Sequence, residues 1–295
     1  MFKQVSSWKK RFLTIGLVGS VLMQITVPAS ACTLFAANGT KFVAGGGTLV
    51  AKNRDWRPAK QMARLVTPTN GNKYYGLFAG KDYKFNAAGI NEKGLMVAMS
   101  TAGSIPKKER LSYKRFKSQE GLRTNEYLLR YYNSVDEVLK TKEPLWQEPV
   151  NFILADKKMI AYVEVGPQGK IAVRKVKNGT AYHTNHYVEK AMLPYNQKIG
   201  KSSATRYERI KMLMTEQKLP FTLERFVEIS QDKNAGANNS IYRVGNKPNS
   251  SQTLANFIAY IPPKGYPQLW LKYRKNPEDK GREVIEKVNL EELFK

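Results

Sequence analysis

Among the chain's Asn-Gly dipeptides, Asn38-Gly39 and Asn178-Gly179 each stand between short extended runs. Asparagine and glycine tolerate the positive φ of a two-residue hairpin turn, so each dipeptide predicts an antiparallel strand pair. At the first, residues 32–37 lead in and 40–44 lead out. Gly45-Gly46-Gly47 then permits a sharp bend or a close backbone approach before 48–52 resumes an extended run. At the second, 171–176 leads in and 180–184 leads out. Residues 152–155 with 159–165, and 253–261 with 268–273 across Pro262-Pro263-Lys264-Gly265, read as two further pairs.

Helices are predicted between these groups. Thr124 can cap 125–132, Ser134 with Glu137 makes a capping box for a helix to about residue 140, and Thr222 caps 223–230. Ser202 or Ser203 opens a stretch in which Tyr207, Ile210, Leu213 and Met214 recur at helical spacing. Blocks of hairpin-linked strands separated by blocks of helices predict an α+β fold with antiparallel sheets rather than a doubly wound parallel one.

The N-terminus reads as a secretory signal peptide over residues 1–31. Lys3, Lys9, Lys10 and Arg11 form a positive region, 12–27 is mostly apolar, and Ala29-Ser30-Ala31 precedes the expected cut. The apolar stretch is interrupted and shorter than the ~20 residues of a spanning helix. The expectation is an exported chain, periplasmic or secreted, with one domain over 32–295 and no transmembrane span after cleavage. The leader's four cations leave +21 of the chain's formal +25, spread without a Lys/Arg block of five or six. Spread charge on an exported protein fits anionic surfaces better than nucleic acid, which is not expected as a partner; a homo-oligomer stays open.

Cys32 is the only cysteine. An exported chain with one thiol cannot staple itself, so the residue is buried, lipidated, paired with another chain or used chemically. With two histidines, His183 and His186, and one thiol, the chain is poorly supplied with soft metal ligands. Neither metal nor cofactor is expected. Cleavage before Cys32 would put a thiol and a free α-amine on one residue. The amine can take the thiol proton, the thiolate can attack an amide carbonyl, and the ammonium can protonate the leaving nitrogen. No histidine is needed, and both histidines read as structural.

Such chemistry also requires groups that hold the N-terminus and stabilise an oxyanion. Asp55, in Lys52-Asn53-Arg54-Asp55-Trp56, ends the strand after the first hairpin and is placed to lie beside Cys32. Asn185, in His183-Thr184-Asn185-His186, offers a side-chain amide as oxyanion donor. Arg206, early on a helix, can reach inward to orient Asp55 or the substrate. Each of these alone is more often a turn, cap or solvated residue.

Taken in order, Cys32-Thr33, the Lys-Asn-x-Asp motif, Asn91-Glu92-Lys93-Gly94-Leu95, Thr184-Asn185-His186 and Ser202 to Arg206 resemble the N-terminal-nucleophile (Ntn) cysteine hydrolases that cut linear carbon-nitrogen amide bonds. The last two motifs resemble the penicillin acyltransferase-like branch, and the third the choloylglycine hydrolases and penicillin V acylases. The resemblance implies a four-layer αββα sandwich of two mainly antiparallel sheets and an acyl-cysteine intermediate. It implies Cys32 as nucleophile, Asp55 as the aspartate contacting it, Asn185 as oxyanion asparagine and Arg206 as supporting arginine, with Lys52 where relatives commonly carry arginine. Met99-Ser100-Thr101 stands where choloylglycine hydrolases have an asparagine, against a bile-salt substrate. The expected substrate is a small N-acyl amide. Two alternatives stand beside hydrolysis: acyl transfer to an amine, and a lipid-anchored, non-catalytic envelope protein on the same scaffold.

Overall fold

The computed structural model describes residues 31–215 and 218–295, so the predicted leader, apart from Ala31, lies outside it. The strands are β1 (Ala31–Asn38), β2 (Thr48–Trp56), β3 (Gln61–Val66), β4 (Tyr74–Ala79), β5 (Phe85–Asn91), β6 (Met96–Thr101), β7 (Val150–Ala155), β8 (Ile160–Val165), β9 (Ile171–Val176), β10 (Gly179–His183), β11 (Gln252–Ile261), β12 (Gln268–Tyr273) and β13 (Val284–Asn289). They make two antiparallel sheets, one ordered β10-β1-β2-β11-β12-β13 and the other β3 to β9 in sequence. The helices are α1 (Lys107–Ser112), α2 (Thr124–Tyr131), α3 (Val135–Lys140), α4 (Lys201–Thr215), α5 (Leu223–Ser230), α6 (Gly236–Asn239) and α7 (Leu290–Phe294).

Side chains alternate across each strand, so every central strand feeds two cores. Leu34, Val50 and Phe257 of the first sheet meet Leu77, Ala98, Ile153 and Tyr162 of the second between the sheets. Phe35, Leu49 and Ile258 point the other way, against Ile210 and Leu213 of α4 and Phe226 and Ile229 of α5. On the far side Val97, Phe152 and Leu154 pack against Leu128 and Leu129 of α2 and Val135 and Val138 of α3. Helix, sheet, sheet and helix therefore stack as the expected αββα sandwich. No helix among the described residues is long and apolar enough to cross a membrane.

Both Asn-Gly readings require correction. Residues 40–44 are not a strand paired with β1: the partner is β2, and the connection runs through 39–47. Val43 is wholly buried against α5's layer, and its segment bonds instead to Phe221, through Ala44 N–H to Phe221 O and Phe221 N–H to Phe42 O. Burial of that side chain outweighs the local turn preference. Asn38 closes the loop, its Nδ2 donating to Gly47 O at 3.2 Å and to Thr48 Oγ1 at 2.7 Å. At the second dipeptide, β9 pairs with β8 while β10 pairs with β1. Asn178, at φ +51°, therefore turns the chain from one sheet to the other rather than back along the same sheet. The β7/β8 and β11/β12 pairs form as expected, and Ser134 and Thr222 cap α3 and α5. The helix predicted behind Thr124 includes that residue, and Arg123 takes the cap position without a side-chain bond.

Gly47 is a glycine the loop cannot replace. Its φ is +74°, and a Cβ would collide with the Ile261 carbonyl oxygen on β11. Gly47→Ala is expected to lower unfolding free energy by ~2 kcal/mol or more, read from denaturant melts.

Candidate active site

In the β1–β2 ladder Cys32 stands opposite Arg54 and Leu34 opposite Lys52. Opposed residues share a face, so Cys32, Lys52 and Arg54 project together between the sheets, while Thr33, Asn53 and Asp55 project towards the α4/α5 layer. Lys52 Nζ lies 3.9 Å from Cys32 Sγ and also donates to the Met99 carbonyl on β6. Burial lowers the Lys52 pKa, opposed by the charge of Cys32. Burial also lowers Arg54 to about 10, with Cys32 and Asp55 opposing, so its guanidinium stays charged at neutral pH. Both groups attract a sulfur that carries negative charge.

The backbone of Cys32 is clamped from the helix side. Its N–H donates to Asn185 Oδ1 at 2.8 Å. Arg206 Nη1 donates to Cys32 O at 2.6 Å and Thr33 Oγ1 at 2.8 Å, and Nη2 donates to Asn185 Oδ1 at 2.9 Å. Two donors on Oδ1 and a bond from Nδ2 to Thr101 O at 2.9 Å fix the orientation of the Asn185 amide. Arg206 is wholly buried; burial lowers its pKa to about 10, and the Asp55 carboxylate opposes that shift.

Both histidines brace the segment that carries Asn185. His183 Nε2 meets Glu164 Oε1 at 2.6 Å, with both side chains fully buried, and Glu164 also accepts from Val188 and Glu189 N–H. Ser203 Oγ of α4 accepts from Asn185 N–H and bonds His186 Nδ1 at 2.9 Å. Burial lowers His186 from 6.5 to about 4, with His183 adding to the shift. Between those values the unfolded chain binds more protons than the folded one, so His186 makes stability rise with pH. His186→Gln is expected to flatten the loss of stability from pH 6.5 down to 4, measured by chemical denaturation across that range.

Asp55 is backbone-paired with Ala31, beside Cys32, but its carboxylate is on the other face of β2 from the thiol. A register shift in β11 between Thr253 and Ala255 brings Thr253 Oγ1 to donate to Asp55 Oδ1 at 2.7 Å. Arg243 Nη1 is 4.0 Å from Oδ2, which has no hydrogen bond among the described residues. Burial raises the Asp55 pKa, opposed first by Arg243 and then by Arg206.

Cys32, Lys52, Asn185 and Arg206 thus converge directly, and Asp55 adjoins them from the helix face. Arg54 and Arg243 were not among the expected residues. The period-two alternation from Lys52 would have exposed Arg54 once β1 and β2 were in register; Arg243 lies on a connection with no such signal. Asn91 belongs to the fold: its Oδ1 accepts from Lys93 and Leu95 N–H across the β5/β6 turn, and its Nδ2 donates to Leu129 O and Tyr132 O.

Residues 43–271 match the family described as acyl-coenzyme A:6-aminopenicillanic acid acyl-transferase. The chain belongs to this family. Among curated proteins, none matches the sequence. Solved structures place the family member in the Ntn-hydrolase fold. An N-acylethanolamine-hydrolyzing acid amidase orthologue from Caenorhabditis elegans aligns with TM-score 0.51 and 12% identity over 79% of this chain and 94% of its own. A conjugated bile acid hydrolase variant from Clostridium perfringens gives 0.51 and 16% over 90% and 94%. Penicillin V acylase from Agrobacterium tumefaciens gives 0.47 and 17% over 82% and 83%. The family match begins at residue 43, after Cys32 and Asn38, so the case for the thiol rests on its geometry.

Proposed function

We propose that this family member is an exported amidohydrolase that cleaves a linear carbon-nitrogen amide through an acyl group on Cys32, made N-terminal by removal of residues 1–31. The observation that carries the reading is the clamp on Cys32: Asn185 Oδ1 on its nitrogen, Arg206 on its carbonyl and Lys52 at its sulfur.

The α-amine takes the Sγ proton, and the thiolate adds to the substrate carbonyl. The resulting oxyanion draws on a hydrogen of Asn185 Nδ2 beyond the one given to Thr101. Collapse breaks the C–N bond, and the α-ammonium passes its proton to the leaving amine. Water, deprotonated by the same amine, then cleaves the thioester and restores the thiol. Asp55 Oδ2, without a hydrogen bond among the described residues and next to the position of Ala31, suits the free ammonium as an acceptor. The family's description favours a second outcome for the thioester, attack by an amine acceptor.

Chains beginning at Cys32 and at Ala31 separate the readings. The first is expected to hydrolyse members of a panel of penicillin V, conjugated bile salts, N-acyl amino acids and acyl-homoserine lactones, and the second to be inactive until trimmed. Full activity with Ala31 in place would contradict the role of the α-amine. A diacylglyceryl adduct on the exported protein's Cys32 would instead establish the lipid-anchored alternative.

A further inference from the structure

A buried carboxylate beside the freed nitrogen of Cys32 works against that nitrogen as a base. An α-amine has an ordinary pKa of about 8, and an opposite charge within ~4–6 Å raises it by ~1–3 units. Alone with Asp55, the amine would stay an ammonium at neutral pH and could not take the thiol proton. A second cation on the same carboxylate removes the difficulty.

Arg243, on the connection between α6 and β11, is placed to be that cation. Its Nη1 is 4.0 Å from Asp55 Oδ2, and both side chains are buried. Thr253 ties the two together. Its Oγ1 accepts from Arg243 N–H at 2.8 Å and donates to Asp55 Oδ1 at 2.7 Å, while its own N–H donates to Arg243 O at 2.8 Å. Nε and Nη1 of Arg243 and Oδ2 of Asp55 make no hydrogen bond among the described residues, so Oδ2 keeps room for a second donor. The other charged groups are committed elsewhere. Arg206 acts on Asp55 at longer range, with Nη1 on Cys32 O and Thr33 Oγ1, Nη2 on Asn185 Oδ1 and Nε on Ser202 Oγ. Lys52 and Arg54 share the opposite face of β2 with the thiol. Tyr242, pushed up to about 12 by burial and then by Glu283 and Asp55, is neutral here.

We propose that Arg243 is a positioning residue that shares the Asp55 carboxylate with the Cys32 α-amine and so leaves the amine free to accept the thiol proton near neutral pH. The inference rests on the reading of that amine as the base. The proton passes from Sγ to the α-nitrogen, and Arg243 neither gives nor takes one.

Cys32 is the only cysteine, so alkylation by iodoacetamide follows its thiolate without any substrate. Rates are measured from about pH 5 to about pH 9 on the chain beginning at Cys32, with a thermal melt of each variant. In Arg243→Met the acid limb of the profile is expected to move up by about one pH unit, because the amine and thiol hold their protons more tightly once a nearby cation is gone. Arg243→Gln, also neutral, takes its place if the methionine variant does not fold. Arg243→Lys keeps the charge and should leave the midpoint within about 0.3 units of the unaltered chain, whatever happens to the rate. In the chain beginning at Ala31, where Cys32 has no free amine, the neutral variant should move the profile by less than about 0.3 units. An unmoved midpoint in a folded neutral variant, or an equal move in both chains, would overturn the proposal. A different comparison strikes the reading beneath it: identical profiles for the two unaltered chains would show that the α-amine has no part in ionising the thiol, and the proposal would fall with that base.

Discussion

Cys32→Ser is expected to reduce amide turnover by at least about 10³-fold while leaving the unfolding midpoint unchanged. Serine keeps the shape of the side chain, and the bonds from Asn185 and Arg206 go to the backbone nitrogen and oxygen of residue 32, which the substitution does not touch. What changes is the nucleophile. A hydroxyl gives up its proton far less readily than a thiol, and an α-amine with a pKa near ~8 is too weak a base to compensate. Lys52 and Arg54 would still face the site, but with no anionic sulfur between them. Steady-state kinetics on a cleaved amide, with a thermal melt of each protein, separates the outcomes. Undiminished turnover in a folded Cys32→Ser protein would remove the thiol from the mechanism.

Arg206→Lys carries the second large effect, and it falls on both stability and turnover. The guanidinium uses two nitrogens at once, one on Cys32 O and Thr33 Oγ1 and the other on Asn185 Oδ1. An ammonium is a single point and cannot span that set. The lysine variant leaves at least one buried acceptor unmet, at an expected cost of ~2 kcal/mol or more, and Arg206→Met should cost ~3–5 kcal/mol by also leaving Asp55 short of a cation. The Asn185 amide then loses one of the two donors that fix it, and a displacement of about 1 Å at a nucleophile costs turnover ~10²-fold. Denaturant melts and kcat on the lysine variant check the two parts separately. A lysine variant with normal turnover would show that the clamp is dispensable.

What the sequence disclosed and what it withheld divide by range. The β7/β8 and β11/β12 pairs and the caps at Ser134 and Thr222 depend on neighbours a few residues away, so local pattern was enough. Residues 40–44 were misread because their hydrogen bonds go to Phe221, far along the chain, and nothing local marks that partner. β10 was misread for a related reason: an Asn-Gly turn looks the same whether the next strand returns beside its predecessor or crosses to the other sheet. At the site, Asn185 and Arg206 stood out by motif, and the structure adds that they bind one another as well as Cys32. The placement of Asp55 was half legible. Its position beside Cys32 follows from the hairpin, but which face its carboxylate takes follows only from register, which also sets Arg54 opposite the thiol. Arg243 and the shifted Thr253 come from the connection after α6 and from a bulge in β11, neither of which has a periodic signal.

The central claim is that Cys32, once N-terminal, carries the acyl group. Its most direct test is intact-mass and peptide-mass analysis of the exported protein, acid-quenched during turnover of an amide it cleaves. The account predicts a chain that starts at Cys32 and a transient addition equal to the acyl group, mapped to the N-terminal peptide. An acyl group mapped to another residue, or turnover by a chain that still begins before Cys32, would contradict it.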